Sequence, residues 1–477
     1  MKIGCVKEIK NREYRVGLIP DNAKSYVNAG HEVWIEKGAG LGSGFTDAEY
    51  EKAGAKLVDT AKEVWDGVDM MVKVKEPLPE EYGYFRKDLV LFTYLHLAAD
   101  KPLTDAMLAS GMKGFAYETL IERDGSIPLL APMSQIAGRL SIQEGAKYLE
   151  KTFGGSGVLL SGVPGTPKAN IVIIGGGSVG TNACKIAVGM GANVTILDIS
   201  LPRLAYLDDI FGARIQTLVS TDTNIENAVK DADLVIGSVL IPGKAAPKLM
   251  KRAYLKEMRP GSVIVDVAVD QGGCCETTKV TYHDDPIYEF VGIVHYGVGN
   301  MPGAVPRAST IGLTNATLRY GLAIAKHGLE EACRKNPVLI SGVNTYDGKL
   351  TCKNVAESFE MVDDKTYKFK LREGVKFHNG EELKASDVKY TFERMLTVQG
   401  GTNSEFLDQI KGAGALFEGT ATELEGFELV DDYTFKLILE EPYSGFLACI
   451  STPAVSIYNE KATEEAGDEF GLDPALK

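Results

Sequence analysis

Cysteine is scarce in this chain: seven residues (5, 184, 274, 275, 333, 352 and 449), an odd number with no C-x-x-C spacing. That excludes a disulfide frame and a cysteine zinc site, and predicts reduced thiols in a cytosolic protein. Long apolar runs are missing too, since none approaches the ~18 residues of a membrane helix. The opening residues, Met1-Lys2-Ile3-Gly4-Cys5-Val6-Lys7-Glu8, reach charge too soon for a secretion-signal core. Apolar residues at 44% and charged residues at 24% are ordinary for a globular protein, which excludes a disordered or fibrous chain. The 477 residues then predict roughly three domains at about 150 residues each.

Charge is not evenly spread. Phe359 to Lys477 holds 24 acidic and 12 basic residues, so that quarter carries −12 of the net −14. Ten of the seventeen phenylalanines lie there as well. An acidic, Phe-rich end on a near-neutral body predicts a domain boundary near residue 359, and the acidity argues against nucleic acid as a partner. This end also repeats itself weakly at an offset of 68: 360–371 matches 428–439, each an Asp pair leading into an alternating strand.

Residues 1–130 alternate strand-like stretches (33–35, 70–75, 89–95) with helix-like ones (21–29, 46–53), which predicts a parallel sheet with crossover helices. The segments 171–174, 194–197, 234–236 and 263–265 are short, β-branched and apolar on both faces, as buried parallel strands are. A helix is expected near 310–326. The fold class is α/β, with two Rossmann-like domains followed by an incomplete α+β piece.

Gly175-Gly176-Gly177-Ser178-Val179-Gly180 fits G-x-G-x-x-G between a strand and a helix-like stretch. Gly175, Gly177 and Gly180 allow a tight turn and close approach to a pyrophosphate, which rests with Ser178 at the helix N-terminus. Asp198, 18 residues past Gly180, is placed to accept the adenosine ribose hydroxyls and to repel a 2′-phosphate, so the expected cofactor is NAD. A second cluster lies at strand ends: Lys7-Glu8 with Asn11 to Val16, then Lys73 to Pro77, then Tyr94 to Leu97. Side chains alternate along a strand, so Lys73 and Lys75 are expected on one face. A guanidinium with an ammonium suits a small carboxylate, although any one of these cations alone reads as solvated surface. His96, in an apolar run, reads equally as a satisfied core histidine.

The stretches Lys7 to Arg15, Val72 to Pro77, Phe92 to Ala98, Leu130 to Ser134, the glycine loop, Asp266 to Cys274 and Val298 to Pro302 closely resemble the alanine dehydrogenase family. That family also contains the NAD-binding subunit of proton-translocating transhydrogenase. The resemblance implies a substrate domain of 1–129 and 307–358 around an inserted NAD domain of 130–306, in a cytoplasmic homohexamer away from membranes. It implies reversible oxidative deamination of L-alanine to pyruvate and ammonium: hydride passes from Cα to the nicotinamide, water adds to the iminium, and ammonium leaves. By motif, Arg15 and Lys75 would hold the carboxylate, His96 would be the general acid/base, and Asp270 its partner. Ser134, Asp198, Arg203, Ser220, Val239, Leu240, Val267, Ala268, Val269, Asp270, Val298, Gly299, Asn300 and Met301 would contact NAD; Lys279 stands where an arginine is expected, which leaves its role open. No catalytic metal is implied. A silent NAD-binding subunit is the alternative, disfavoured by the presence of Arg15, Lys75, His96 and Asp270. Glu118 reads either as a cleft carboxylate or as a structural one, and Cys274-Cys275 as two thiols.

From Thr366 to Gly380, at Ala385 to Val388 and again at 432–443, the tail resembles part of an oligopeptide-type solute-binding protein of an ABC importer. It covers only a piece of such a protein and lacks one of the two lobes between which peptide binds, so 359–477 is expected to be a non-functional fragment. Its strands 366–371 and 433–439 are expected to lack their partners and to leave open edges.

Overall fold

The computed structural model describes residues 1–97, 100–239, 246–351, 356–375, 377, 379–397, 404–443, 446, 450, 455 and 457–467. The chain divides into two units, one made by the described residues up to 351 and the other by those from 356 onward.

The first unit begins with six parallel strands: β1 (Lys2–Cys5), β2 (Glu32–Glu36), β3 (Lys56–Val58), β4 (Met70–Val72), β5 (Val90–Thr93) and β6 (Lys113–Ala116). Most of their side chains are apolar and buried on both faces, as the sequence requires of parallel strands between helices. Helix Ala131–Tyr148 then leads into a second sheet, β7 (Asn170–Ile174), β8 (Asn193–Asp198), β9 (Ile215–Val219), β10 (Leu234–Gly237), β11 (Val263–Asp266), β12 (Ile287–Phe290) and β13 (Ile293–Tyr296). Its order is β12-β13-β11-β10-β7-β8-β9, parallel except for β12 against β13. Helix Pro306–His327 returns to the first sheet, where β14 (Val343–Tyr346) pairs antiparallel with β6 and β15 (Lys349–Leu350) with β14. The completed first sheet runs β15-β14-β6-β5-β4-β1-β2-β3.

Both sheets reverse direction beside their first strand. β1 lies between β2 and β4, and β7 between β8 and β10. Open α/β sheets bind ligands outside the strand C-termini at such reversals. The residues after β1, β4, β7 and β10 therefore stand where a ligand is favoured.

The strand expected over 70–75 is shorter. β4 ends at Val72, and although Lys73 N still bonds Phe92 O at 3.1 Å, Val74 N and Lys75 N turn to the Glu8 carboxylate at 2.7 and 3.2 Å. Lys73 and Lys75 consequently do not share a face as expected. Lys73 is fully buried between Glu8 and Glu81, whereas Lys75 is half-buried.

The second unit holds an antiparallel sheet of order β16-β17-β19-β18, made of β16 (Ala356–Met361), β17 (Thr366–Leu371), β18 (Phe427–Asp431) and β19 (Thr434–Ile438). Tyr367, Phe369 and Leu371 on one face join Val388 and Phe392 of helix Ala385–Thr397 in a core of their own. This corrects the expectation of missing partners: the two repeats pair with each other, Phe369 facing Phe435, and the sheet's edges are β16 and β18. Strand β16 also straddles the compositional break at Phe359.

Candidate active site

At the reversal of the first sheet, Glu8 follows β1. Its Oε1 anchors the Val74 and Lys75 amides, and its Oε2 lies 3.1 Å from Lys73 Nζ, which also bonds Glu81 at 2.8 Å. Burial pushes the Glu8 carboxyl above its ordinary value, against the pull of Lys73. Burial also works against charge on Lys73, but its two carboxylates outweigh it and hold the ammonium protonated. This buried pair fixes the turn that presents Lys75. The Lys75 ammonium makes no hydrogen bond or ion pair among the described residues, and burial lowers its pKa, with the charges of Arg15 and Lys10 acting the same way.

Arg15 is nearly inaccessible, its side chain 2% exposed and that of its partner Glu13 1%. Nε and Nη2 each donate to one Glu13 oxygen at 2.6 Å, and Nη2 also donates to Asn300 Oδ1 at 2.8 Å. Nη1 meets only the Met133 sulfur, at 3.2 Å, a weak acceptor. Burial disfavours the charged forms of both partners, yet their mutual bonds win, raising Arg15 and lowering Glu13.

His96 follows β5 in the left-handed region, at φ 51°. Glu118 Oε1 holds its backbone N–H at 2.6 Å, and the ring lies 4.0 Å from Glu76 Oε2 and 3.9 Å from Glu118 Oε1. Its side chain is 46% exposed, which sets aside the satisfied core histidine. Glu118, read two ways from sequence, is both a structural clamp on this turn and a neighbour of the ring. Glu76 bonds Lys10 through Oε1, while Oε2 is buried without a partner.

Asp270 stands exposed on the short turn Val269–Gln271 after β11. Its Oδ2 accepts the Asn300 N–H at 3.2 Å, so Asn300, itself at φ 57°, links Asp270 to Arg15. His96 and Asp270 make no direct bond to each other.

At the other reversal point, Gly175 (φ 101°) turns the chain out of β7 and Gly177 precedes helix Ser178–Gly189. A Cβ on Gly180 would overlap the Gly175 carbonyl oxygen, whereas a Cβ on Gly177 would have no neighbour within 4 Å. Open ground thus remains before the helix N-terminus, where an anion is favoured. Asp198 accepts Gly176 N at 2.6 Å and Ser200 N at 2.9 Å, which leaves lone pairs for hydroxyl donors. Arg203 is engaged by the loop itself, through Gly176 O at 2.6 Å and Thr181 Oγ1 at 2.5 Å. Ser220 N caps the Asp198 carbonyl at 3.0 Å, and Val239 is half-buried beside Gly175. Val267 N bonds Gly237 O at 2.9 Å and Ala268 N bonds Asp266 Oδ1 at 3.1 Å, so these two and buried Val269 shape the strand end under Asp270. Val298 and Met301 are buried and flank Gly299 and Asn300. Ser134 lies half-buried on helix Ala131–Tyr148, exposed Lys279 packs its ammonium 5.4 Å from the Tyr288 ring, and Leu240 is outside the described residues. Cys274 and Cys275 are buried free thiols.

Residues 4–137 match the family model described as alanine dehydrogenase/PNT, N-terminal domain, and residues 141–353 the corresponding C-terminal domain. An alanine dehydrogenase of Methanococcus maripaludis is 58% identical over 362 residues, 76% of this chain and 97% of the relative. The chain belongs to the alanine dehydrogenase/PNT family. An alanine dehydrogenase of Staphylococcus haemolyticus is 57% identical over the same span. A solved L-alanine dehydrogenase superposes with a TM-score of 0.72 at 53% identity, covering 73% of this chain and 96% of that one. A transhydrogenase from Sinorhizobium meliloti gives 0.64 at 25% identity, with coverage of 73% and 98%. Residues 353–475 match the model for bacterial extracellular solute-binding proteins, family 5, middle.

Sequence reasoning gave no role to Glu13 and Glu76. Each lies two residues or fewer from a singled-out cation, but that spacing alone does not mark a carboxylate as its partner, because the burial that pairs them is seen only in the fold. No helix of the described residues is long and apolar enough to cross a membrane.

Proposed function

We propose that this chain is an NAD-dependent alanine dehydrogenase that interconverts L-alanine with pyruvate and ammonium at the cleft formed after β1, β4 and β5. One observation supports this assignment above the others: a half-buried ammonium with no partner among the described residues, Lys75, whose charge is felt by a buried guanidinium whose Nη1 meets only a sulfur. Two cations of one sign facing each other with donors to spare invite an anion between them, and the substrate carboxylate is that anion.

Arg15 and Lys75 bind the carboxylate and orient Cα. His96, half-exposed between Glu76 and Glu118, takes a proton from the water that adds to the iminium and returns one to the leaving amine. Asp270 reaches the same cleft through Asn300 and shares the proton handling. The glycine loop, Asp198 and the segments 267–270 and 298–301 cradle the dinucleotide, as do Ser134, Arg203, Ser220 and Val239. When bound, NAD supplies the hydride acceptor.

The family resemblance supports a homohexamer in the cytoplasm. It likewise supports a substrate domain of 1–129 and 307–358 around a nucleotide domain of 130–306. The 359–477 segment takes no part in the chemistry. The deciding experiment is NADH formation with L-alanine, L-serine and glycine. Turnover fastest with L-alanine is expected; a chain that binds NADH and turns over none of the three would be a silent NAD-binding subunit instead.

A further inference from the structure

The five N–H donors of a guanidinium lie in one plane along two usable edges, and a carboxylate fits either edge with two parallel bonds. In Arg15 the Nε/Nη2 edge is already taken in that manner by Glu13, at 2.6 Å for both bonds, and the second Nη2 donor goes to Asn300. Asn300 Nδ2 in turn donates to Glu13 Oε2 at 3.1 Å, so the pair is held from both sides. The weakly satisfied donors are those of Nη1, against Met133 Sδ at 3.2 Å.

We propose that Glu13 is a positioning residue that acts through Arg15, an inference that rests on the carboxylate clamp read above. By occupying the Nε/Nη2 edge it leaves only the Nη1 side to the substrate. The carboxylate is then shared between one arginine nitrogen and the Lys75 ammonium, and cannot dock two-pronged on the arginine alone. That sharing fixes where Cα stands. With the Nε/Nη2 edge free, a small carboxylate would settle there, held firmly but out of line with the reacting groups.

The test is Glu13→Ala, which vacates the Nε/Nη2 edge and removes the charge. In reductive amination, kcat should fall ~10-fold or more while KM for pyruvate is not raised, the mark of unproductive binding. Acetate, a carboxylate with no oxo group to reduce, should inhibit competitively with pyruvate at a concentration ~10-fold or more below that needed by wild type. A raised KM with preserved kcat, or acetate inhibition unchanged from wild type, overturns the proposal. Arg15→Ala measured alongside separates the two readings. If its KM for pyruvate stays at the wild-type value, it is the clamp itself that fails. NADH fluorescence titration reports whether Glu13→Ala is folded. Should it not fold, Glu13→Asp keeps the charge but reaches only one of the two nitrogens, and unchanged acetate inhibition in that variant overturns the proposal equally.

Discussion

The two glycines that bracket the nucleotide loop respond to the same small change for different reasons, which makes them a paired test of the cofactor site. A methyl on Gly180 would overlap the Gly175 carbonyl oxygen and stand 2.9 Å from Ser238 Oγ and 3.0 Å from the Gly175 carbonyl carbon. Two of those three neighbours are backbone, so the helix and the turn must separate by on the order of 1 Å. Overpacking of this kind costs about 1–3 kcal/mol, and at about 2–4 °C per kcal/mol for a domain of this size Tm should fall by about 2–12 °C. A 1 Å displacement at a binding loop also costs about 10²-fold in function. Gly177→Ala differs: its φ of −62° suits alanine and nothing lies within 4 Å of the added carbon. Its Tm should match wild type, while the methyl intrudes on the ground before the helix N-terminus and raises the NADH Kd about 10-fold, or about 1.4 kcal/mol. Thermal denaturation and NADH fluorescence titration read both. Wild-type NADH affinity in Gly177→Ala would refute the placement of the pyrophosphate, and wild-type Tm in Gly180→Ala would refute the close contact.

His96→Ala and Asp270→Ala should each lower kcat by ~10²–10⁴-fold with NADH binding retained, and near-wild-type turnover in His96→Ala would remove it from the chemistry. Burial and the charges of Arg15 and Lys10 depress Lys75, so the neutral amine appears, and kcat/KM for pyruvate falls, as pH rises through a value below the ordinary 10.5. Lys75→Arg stays charged and should carry that alkaline limb to higher pH; an unmoved limb refutes the assignment. Truncation after Thr351, ahead of strand β16, should leave kcat and KM for alanine unchanged, because 73% of the chain already covers 96% of a solved L-alanine dehydrogenase. Loss of activity would show that the second unit has become part of the enzyme.

Much of this architecture was legible in the residues. The apolar runs 171–174, 194–197, 234–236 and 263–265 all lie within the parallel strands β7, β8, β10 and β11, because a strand buried on both faces leaves little doubt about its setting. The reach of β4 was not legible. Nothing in Lys73-Val74-Lys75 announces that Glu8, 66 residues away, would draw the Val74 amide out of the ladder. The tail strands misled for a related reason: the family resemblance pointed to absent neighbours, while the repeat already contained a partner in each copy, Phe369 opposite Phe435. The Glu13–Arg15 fork was out of reach of spacing alone, since it depends on both side chains being buried and on Asn300 arriving from the other sheet's loops.

The return of the chain to its first sheet has a consequence for synthesis. Strand β6 acquires its outer neighbour only when β14 emerges, and the bond between Gly114 N and Thr345 Oγ1 joins residues 231 positions apart. At about 5–20 residues per second, translation takes roughly 10–50 s to cross that gap. Throughout that interval the nucleotide-binding sheet, whose strands all lie inside the gap, can close on its own, while the strand before it waits with one row of amides unpaired. An unfinished strand edge is where a second nascent chain on the same message can pair. The order of emergence therefore leaves the outer edge of β6 open until β14 arrives to cover it.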